Sequence, residues 1–310
     1  MSDFLGIDTS NYTTSAAIYE SPHNVLLQEK MLLPVKKGEK GIRQSDAVFH
    51  HTVQLPEIID KLFKKTGKRD ISAVGVSYAP RRLEGSYMPC FLTGISAATA
   101  VSRALSVPLY RFSHQEGHIA AALYSAGRLE LLNEPFIAFH VSGGTTVKPD
   151  NEHIINAEIV ASSSDLKAGQ AIDRVGVMLS LNFPAGPELE KLSEKSNAVF
   201  KIKPSMKNTD CSLSGVENKC KKMLTENYEK SDIALFCIDS VIAALDGMYK
   251  ALMPKYGALP VVFSGGVTSN KRIKNYFHDK YNAIFAEPAF SADNAAGTAV
   301  LSSIMYDRRK

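Results

Sequence analysis

The start of the chain alternates short apolar runs with polar turns, which predicts a strand meander followed by a helix. Residues 4–8 read as a buried strand, 15–19 as its hairpin partner and 25–33 as a third strand. Residues 45–65 carry apolar side chains at helical spacing. Pro56 falls inside this last pattern and is predicted to kink or end the helix.

The remaining pattern interleaves strands and helices, which is typical of the α/β class. Strands are predicted at 71–77, 107–111, 136–141 and 259–263. Helices are predicted at 94–105, 114–126, 167–180, 187–196, 229–253 and 291–306.

Glycine turns follow two of these strands. Ser142-Gly143-Gly144-Thr145-Thr146 and Ser264-Gly265-Gly266 would let backbone N–H groups approach an anion, because no Cβ intervenes. A single such turn is also what a tight reversal needs. Two of them, together with the hairpin that carries Asp8, favour a nucleotide site. The chain has neither a P-loop nor a GxGxxG after a strand, which excludes those two phosphate motifs.

His114 and His118 form a candidate metal pair. In a helix they lie four residues apart on one face, and neutral imidazoles suit zinc or iron. Two packing or surface histidines are the alternative. Gln115 stands where a zinc protease of the HExxH type needs its glutamate base, which disfavours peptide hydrolysis.

A third ligand is needed for such a metal ion. Asp293 opens the predicted last helix and is a candidate, although capping is the common role of such a residue. Glu188 and Glu190 are weaker candidates, because acidic residues just after Pro187 are the usual opening of a helix.

Bulk properties change this picture little. The 310 residues have a formal charge of +4, which is compatible with an anionic partner such as tRNA or with lysines on a solvated face. The cysteines form no CxxC pair, and neither a signal peptide nor an apolar run of membrane length is evident. We therefore expect a cytoplasmic protein that does not enter a membrane.

Ordered motifs along nearly the whole chain resemble the TsaD family of tRNA threonylcarbamoyl transferases, relatives of actin and hexokinase. The resemblance implies an α/β fold of two actin-like (ASKHA, RNase H-like) subdomains with a central cleft: 1–112, completed by 290–310, and 113–289. The motifs are 5–10, 113–118, 141–144, 169–174, 183–187, 212–215, 264–270 and 292–296.

The resemblance also implies a reaction and its site. Family members transfer a threonylcarbamoyl group from threonylcarbamoyl-AMP to N6 of the adenosine next to the tRNA anticodon, and accessory subunits are possible partners. One divalent metal ion, iron or zinc, would be held by His114, His118 and Asp293. The adenine nucleotide or threonylcarbamoyl-AMP would be bound by Val141, Ser142, Gly143, Gly144, Thr145, Asp173, Gly186, Gly265, Gly266 and Asn270.

Departures from the family pattern qualify this expectation, among them Thr145 in place of a histidine after the two glycines. Tyr12 and Thr13 replace two acidic residues, which leaves Asp8 and Ser10 as the catalytic candidates at the hairpin tip. The glycine-rich loop of the family has become a longer segment with Arg81-Arg82, and Glu217 replaces a lysine. Alternatives are therefore a non-catalytic nucleotide-binding scaffold or regulatory subunit, or a carbamoyl transferase or kinase with a small-molecule acceptor whose anionic group the arginines clamp.

Overall fold

The computed structural model describes residues 2–10, 12–34, 42–140, 143–291 and 295–309. The chain forms two compact units: unit 1 contains 1–134, 148–157 and 289–310, and unit 2 contains 135–147 and 158–288. Residues 113–134, which lie beyond the boundary expected at 112, belong to unit 1 because the helix His114–Ser125 packs against the last helix of the chain.

The elements alternate as the α/β prediction requires. The strands of the described residues are β1 (Ser2–Asp8), β2 (Thr13–Ser21), β3 (Val25–Leu32), β4 (Ile71–Ala79), β5 (Leu109–Ser113), β6 (Phe136–His140), β7 (Gly143–Asp150), β8 (Ile154–Ser162), β9 (Ser205–Lys207), β10 (Asp210–Ser212), β11 (Val261–Ser264) and β12 (Ile284–Phe285). The α-helices are α1 (Gln44–Thr66), α2 (Phe91–Leu105), α3 (His114–Ser125), α4 (Ala168–Met178), α5 (Gly186–Ser193), α6 (Ser214–Thr225), α7 (Lys230–Tyr256), α8 (Lys271–Tyr281), α9 (Pro288–Ser291) and α10 (Ala296–Arg308).

The two units repeat one sheet topology. In unit 1 the described strands lie in the order β3-β2-β1-β4-β5, with β1 antiparallel to β2 and parallel to β4. The sheet of unit 2, to which β7 and β8 belong with their residues outside 148–157, has the order β8-β7-β6-β11-β12, with β6 antiparallel to β7 and parallel to β11. Each sheet therefore contains a hairpin strand, β1 or β6, that also pairs in parallel with a later strand.

A pair of glycines brings α10 directly onto the sheet of unit 1. Gly6 of β1 and Gly75 of β4 are register partners. A Cβ on Gly75 would lie 2.0 Å from the Ser302 hydroxyl, and one on Gly6 would lie 2.5 Å from the Ala295 carbonyl oxygen. The bare backbone at these positions lets α10 lie closer to the strands than side chains would permit.

Each unit buries its own apolar core. Leu5, Ile58 and Val76 belong to a cluster between the sheet of unit 1 and its helices α1 and α2. In unit 2, the long helix α7 is buried on most of its sides, packs against α4, α5 and α6, and shares one apolar cluster with strands β6 and β11. Burial of apolar side chains in such cores is the main favourable contribution to the stability of a folded protein.

The structure corrects two predictions of local structure. Helix α1 continues through Pro56, so the alternative that the helix ends there is wrong, because buried side chains on both sides of it, Leu55 and Ile58 among them, hold the helix against the core. The predicted turn 142–146 is shorter than expected, since residues 143–150 form strand β7 and pair with β6.

Among the described residues, no helix combines the length and apolar character that crossing a membrane requires.

Candidate active site

The tip of the first hairpin holds a buried carboxylate. Asp8 ends β1 and is 1% exposed. Its Oδ1 accepts a hydrogen bond of 2.7 Å from the backbone N–H of Ser10, and its carbonyl accepts one of 3.3 Å from the Ser15 hydroxyl. These contacts, both local in sequence, fix the direction in which the carboxylate points.

Asp8 points to the first residue of α3. Its Oδ2 lies 2.9 Å from Nδ1 of His114. A carboxylate oxygen can only accept here, so the proton of the imidazole resides on Nδ1. Nε2, which faces Nε2 of His118, then carries the lone pair of the ring, as in metal-binding histidines that are hydrogen-bonded to a carboxylate.

His118 follows one turn later on the same face of α3. Its Nε2 is 2.9 Å from Nε2 of His114, and the ring centroids are 4.3 Å apart. Two nitrogen ligands of one tetrahedral metal ion are about 3.3 Å apart, given metal–nitrogen distances near 2.05 Å. The observed 2.9 Å is a hydrogen-bond distance, about 0.4 Å shorter than that, and the two nitrogens converge on one point with the Asp8 carboxylate behind His114.

The predicted third ligand, Asp293, lies outside the described residues. Among the residues that the structure describes, no three His, Cys, Asp or Glu side chains lie close enough together to hold a metal ion. The weaker candidates are engaged elsewhere: Glu188 accepts from Asn182 at 2.8 Å, and Glu190 accepts from the backbone N–H of Lys271 at 2.7 Å.

Unit 2 contains a cavity of about 470 Å³ that includes four of the predicted nucleotide-binding residues. A volume in this range is typical of small-molecule sites. Most of its wall is apolar, and the polar groups are few. The predicted residues on its lining are Asp173, Gly186, Gly266 and Asn270, and the apolar ones include Ile172, Pro187, Leu189, Ile238 and Val267.

Two polar side chains of this cavity are already oriented by the backbone. Asp173 Oδ1 accepts a hydrogen bond of 2.8 Å from the N–H of Ala185, and Asn270 caps α8 by accepting from the N–H of Ile273 at 3.1 Å. In the described part of the chain, neither Asp173 Oδ2 nor Asn270 Nδ2 makes a hydrogen bond. Both atoms can therefore bind a ligand without breaking an internal contact.

The glycine turns flank the strand ends of unit 2. Gly265 has a φ of 104°, which favours glycine, and a 3-10 turn, Gly266–Ser269, follows it. Gly144 and Thr145 lie in β7, opposite Phe139 and Ala138 of β6. Val141 and Ser142 lie outside the described residues.

A histidine that the sequence analysis passed over stands next to these turns. His140 ends β6, and its Nδ1 is 3.0 Å from the hydroxyl of Ser264, which ends the parallel strand β11. Ligands of α/β proteins bind outside the carboxyl ends of parallel strands. The signal that could have found His140 is its position at the end of a predicted strand, directly before the first glycine turn.

Comparison with known families decides the relationship. The family model of TsaD, tRNA N6-adenosine threonylcarbamoyltransferase, matches residues 26–300. The chain belongs to the TsaD family. The resemblance found in the sequence motifs is thereby confirmed.

Relatives and solved structures agree with this assignment. The chain is 30% identical over 320 residues to the tRNA N6-adenosine threonylcarbamoyltransferase of Buchnera aphidicola, covering 97% of this chain and 92% of the relative. It superimposes with a TM-score of 0.56 and 14% identity on component A of the (R)-2-hydroxyglutaryl-CoA dehydratase of Acidaminococcus fermentans, covering 99% and 100% of the two chains. The activator of the 2-hydroxyisocaproyl-CoA dehydratase of Clostridium difficile gives 0.53 and 16%, with coverage of 99% and 96%. These structures confirm the actin-like α/β fold.

The double arginine of this TsaD family member has a structural role. Arg82 donates from Nε and Nη2 to the two carboxylate oxygens of Glu116, at 3.0 and 3.1 Å, and also to the carbonyl of Arg111. Glu116 is 2% exposed and closes the capping box at the start of α3. Arg82 thus secures the turn that carries the two histidines, and its guanidinium is engaged there instead of being free for a substrate anion.

We expect Arg82→Met to lower the free energy of unfolding by about 2–3 kcal/mol, because it leaves a buried carboxylate without its partner. Arg81→Met is the matched control. Arg81 is exposed and forms no ion pair within the described residues, so its replacement should change stability by less than about 0.5 kcal/mol. Urea unfolding of both variants measures this difference, and equal midpoints would contradict the role of Arg82.

Proposed function

We propose that this chain transfers a threonylcarbamoyl group from threonylcarbamoyl-AMP to N6 of the adenosine next to the tRNA anticodon. The observation that carries the proposal is the buried line from Asp8 through His114 to His118, in a chain of the TsaD family. tRNA and accessory subunits are the proposed partners, and a cytoplasmic location stays a prediction.

His114, His118 and Asp293 are proposed to hold one divalent metal ion, iron or zinc. When bound, such an ion polarises a carbonyl and neutralises phosphate charge. Asp8 keeps the Nδ1 proton of His114 in place and so fixes the direction of Nε2. Both oxygens of Asp8 have hydrogen-bond partners, which favours a positioning role over that of a base.

Ser10 is the other candidate at the hairpin tip. It is fully buried, and its hydroxyl forms no hydrogen bond with any part of the chain that the structure describes. A buried hydroxyl without a partner is costly. We propose that it contacts the substrate, which would supply the missing hydrogen bond.

The cavity of unit 2 is proposed to bind the adenosine part of the donor. Its apolar walls suit a purine ring, and the free oxygen of Asp173 can accept from a ribose hydroxyl. Asn270 Nδ2 can donate a hydrogen bond to the adenosine. Gly186, Gly265 and Gly266 have no side chain, which lets the adenosine approach their backbone. Val141, Ser142, Gly143, Gly144 and Thr145 stay proposed contacts of the nucleotide. The dehydratase activator, which shares the fold, was solved with bound ADPNP.

The experiment that tests this function supplies purified protein with threonylcarbamoyl-AMP, unmodified tRNA and candidate accessory subunits. Mass spectrometry of the digested tRNA should detect the modified nucleoside. Under conditions in which a bacterial relative is active, a complete lack of product would contradict the proposal.

Asp173→Asn should raise the KM for the donor by about 10–100-fold, since a hydrogen bond to a charged group is worth about 1.5–3 kcal/mol. Asp239→Asn is the control: Asp239 is in unit 2 as well, but it pairs with Arg272 and is absent from the lining of the cavity. A donor KM that is equally changed in both variants would remove Asp173 from the site.

A non-catalytic nucleotide-binding subunit is the second candidate. It is favoured by the hairpin tip, where Thr13 is buried in β2 and Tyr12 is 43% exposed, so neither supplies an acid or base near neutral pH. The small-molecule alternative rested on an arginine clamp for an anion, and Arg82 is committed to Glu116. Turnover that depends on His118 would exclude the scaffold.

A further inference from the structure

The positive charge of the chain is concentrated in one segment of unit 2. Residues 197–222 contain six lysines and two acidic residues, a formal charge of +4, which equals the formal charge of all 310 residues. The other 284 residues are therefore neutral as a set. A local excess of one sign marks a binding surface for a polyanion more specifically than net charge does.

All six lysines are exposed. We call them the lysine surface: Lys201, Lys203, Lys207, Lys219, Lys221 and Lys222. Along residues 198–206 the side chains alternate, because Phe200, Ile202 and Met206 pack on the core of unit 2 while the lysines between and beside them stay in solvent. In an extended chain, side chains two positions apart are about 6.6 Å apart, so Lys201 and Lys203 form a regularly spaced row.

Helix α6 adds its lysines beside this row. Lys201, Lys203 and Lys219 line one cavity of about 230 Å³, together with Ser205 and Ser212. The ammonium of Lys219 lies 5.0 Å from the centroid of the Phe236 ring, which holds it near the row. The structure thus brings cations that are 18 residues apart in the chain to one place.

The acidic groups nearby are engaged by other partners. Glu217 pairs with Arg174 at 3.0 Å, and Asp210 accepts from the backbone N–H of Ser162 at 2.7 Å. Burial raises the pKa of Asp165, but hydrogen bonds from Ser212, Ser214 and the Leu213 N–H outweigh it and hold the pKa well below its usual range. These hydrogen bonds stabilise the charge of the Asp165 carboxylate.

Of the six lysines, one has an acidic partner among the described residues. Lys222 lies 3.6 Å from Glu226, and both side chains are largely exposed, so this pair is weak. The remaining ammonium groups form no ion pair in the described ranges. They are available to an external anion.

We infer that the lysine surface binds the phosphate backbone of the RNA substrate. That the polyanion is RNA rests on the proposed function. Lysine is depleted at the cores of protein interfaces, which need aromatic anchors. The exposed side chains between the lysines are small or polar apart from Val199, so an acidic protein partner would find few such anchors. Phosphate contacts need only regularly placed cations.

The test measures binding of a fluorescently labelled, unmodified tRNA transcript to the full chain over a range of sodium chloride concentrations. The slope of log K against log salt is negative. In the triple variant Lys201→Gln, Lys203→Gln and Lys219→Gln, its magnitude should become smaller by about 2–3. Affinity at 150 mM salt should fall by at least about tenfold. The melting temperature should match the wild type, because the replaced side chains are exposed.

The matched control is Lys61→Gln, Lys64→Gln and Lys65→Gln on α1, which removes the same charge from exposed lysines of unit 1. It should keep the wild-type slope. An unchanged slope in the first triple variant, or an equal change in both, would overturn the inference. The inference would also be overturned if the first triple variant lost binding to polyglutamate but kept its RNA binding, since the partner of the lysine surface would then be an acidic protein. If the wild type itself bound no tRNA, the proposed function would fail with it.

Discussion

His118→Ala is expected to abolish metal binding and to reduce threonylcarbamoyl transfer by about 100-fold or more. Loss of a mere hydrogen-bond partner of a metal ligand already costs 10–100-fold, and loss of a ligand should cost at least as much. The side chain is 7% exposed, and its Nε2 is 2.9 Å from that of His114, so the substitution removes a buried nitrogen directly beside the other histidine of the pair. Metal content of the protein as purified, measured by mass spectrometry, and product formation are the two readouts.

His278→Ala is the control for this variant. His278 lies on α8 with an exposed side chain beside Asp279, so metal content and turnover should stay at the wild-type level. If His118→Ala retained both the metal and the activity, the histidine pair would be a packing feature of α3. If it lost the metal and kept full transfer, the ion would be structural.

Gly297→Ala is expected to have the largest effect on stability. A Cβ at this position would lie 1.8 Å from the carbonyl oxygen of Gly117 and 2.9 Å from its Cα. Both atoms belong to the backbone of α3, so no side chain can rotate away, and α10 would have to move off α3. Overpacking usually costs 1–3 kcal/mol, and we expect about 3 kcal/mol or more here.

Gly215→Ala is the matched control, because a Cβ there would meet nothing within 4 Å and the residue lies in helix α6. This substitution should be neutral or stabilise by up to about 1 kcal/mol. Thermal unfolding of the two variants compares them directly. Equal melting temperatures would show that α3 and α10 do not approach as closely as the structure indicates.

Local sequence patterns were sufficient for much of the fold. The apolar run that ends at Asp8, the hairpin after it and the helical spacing in 45–65 each correspond to an element of the structure. Patterns failed where pairing with a distant segment decides the conformation. The two glycines at 143–144 are typical of a turn, yet they extend into β7 because β6 offers a free edge. Helix α8 was missed, although the Asn270 cap and the spacing of Ile273 and Phe277 would have indicated it.

The site divides in the same way. Spacing alone placed His114 and His118 on one helical face, and motif order identified the family. The pairing of Asp8 with His114 spans 106 residues, and that of Arg82 with Glu116 spans 34, so neither could be deduced from local patterns. The sequence made Arg82 a candidate for binding anions, and the structure shows it bound to a buried carboxylate.

For this protein, the sequence by itself determined the α/β class, the family, the helical spacing of the histidines and the concentration of lysines in 197–222. These are properties of residue type and of periods two or 3.6, which the chain carries before it folds. Only the tertiary structure decided which groups meet: Asp8 with His114 and Asp173 with the Ala185 N–H, and which groups share one cavity, as Lys219 and Lys201 do. Such contacts depend on how sheets and helices pack, because hydrogen bonds and charge effects act over a few ångströms in space regardless of separation along the chain.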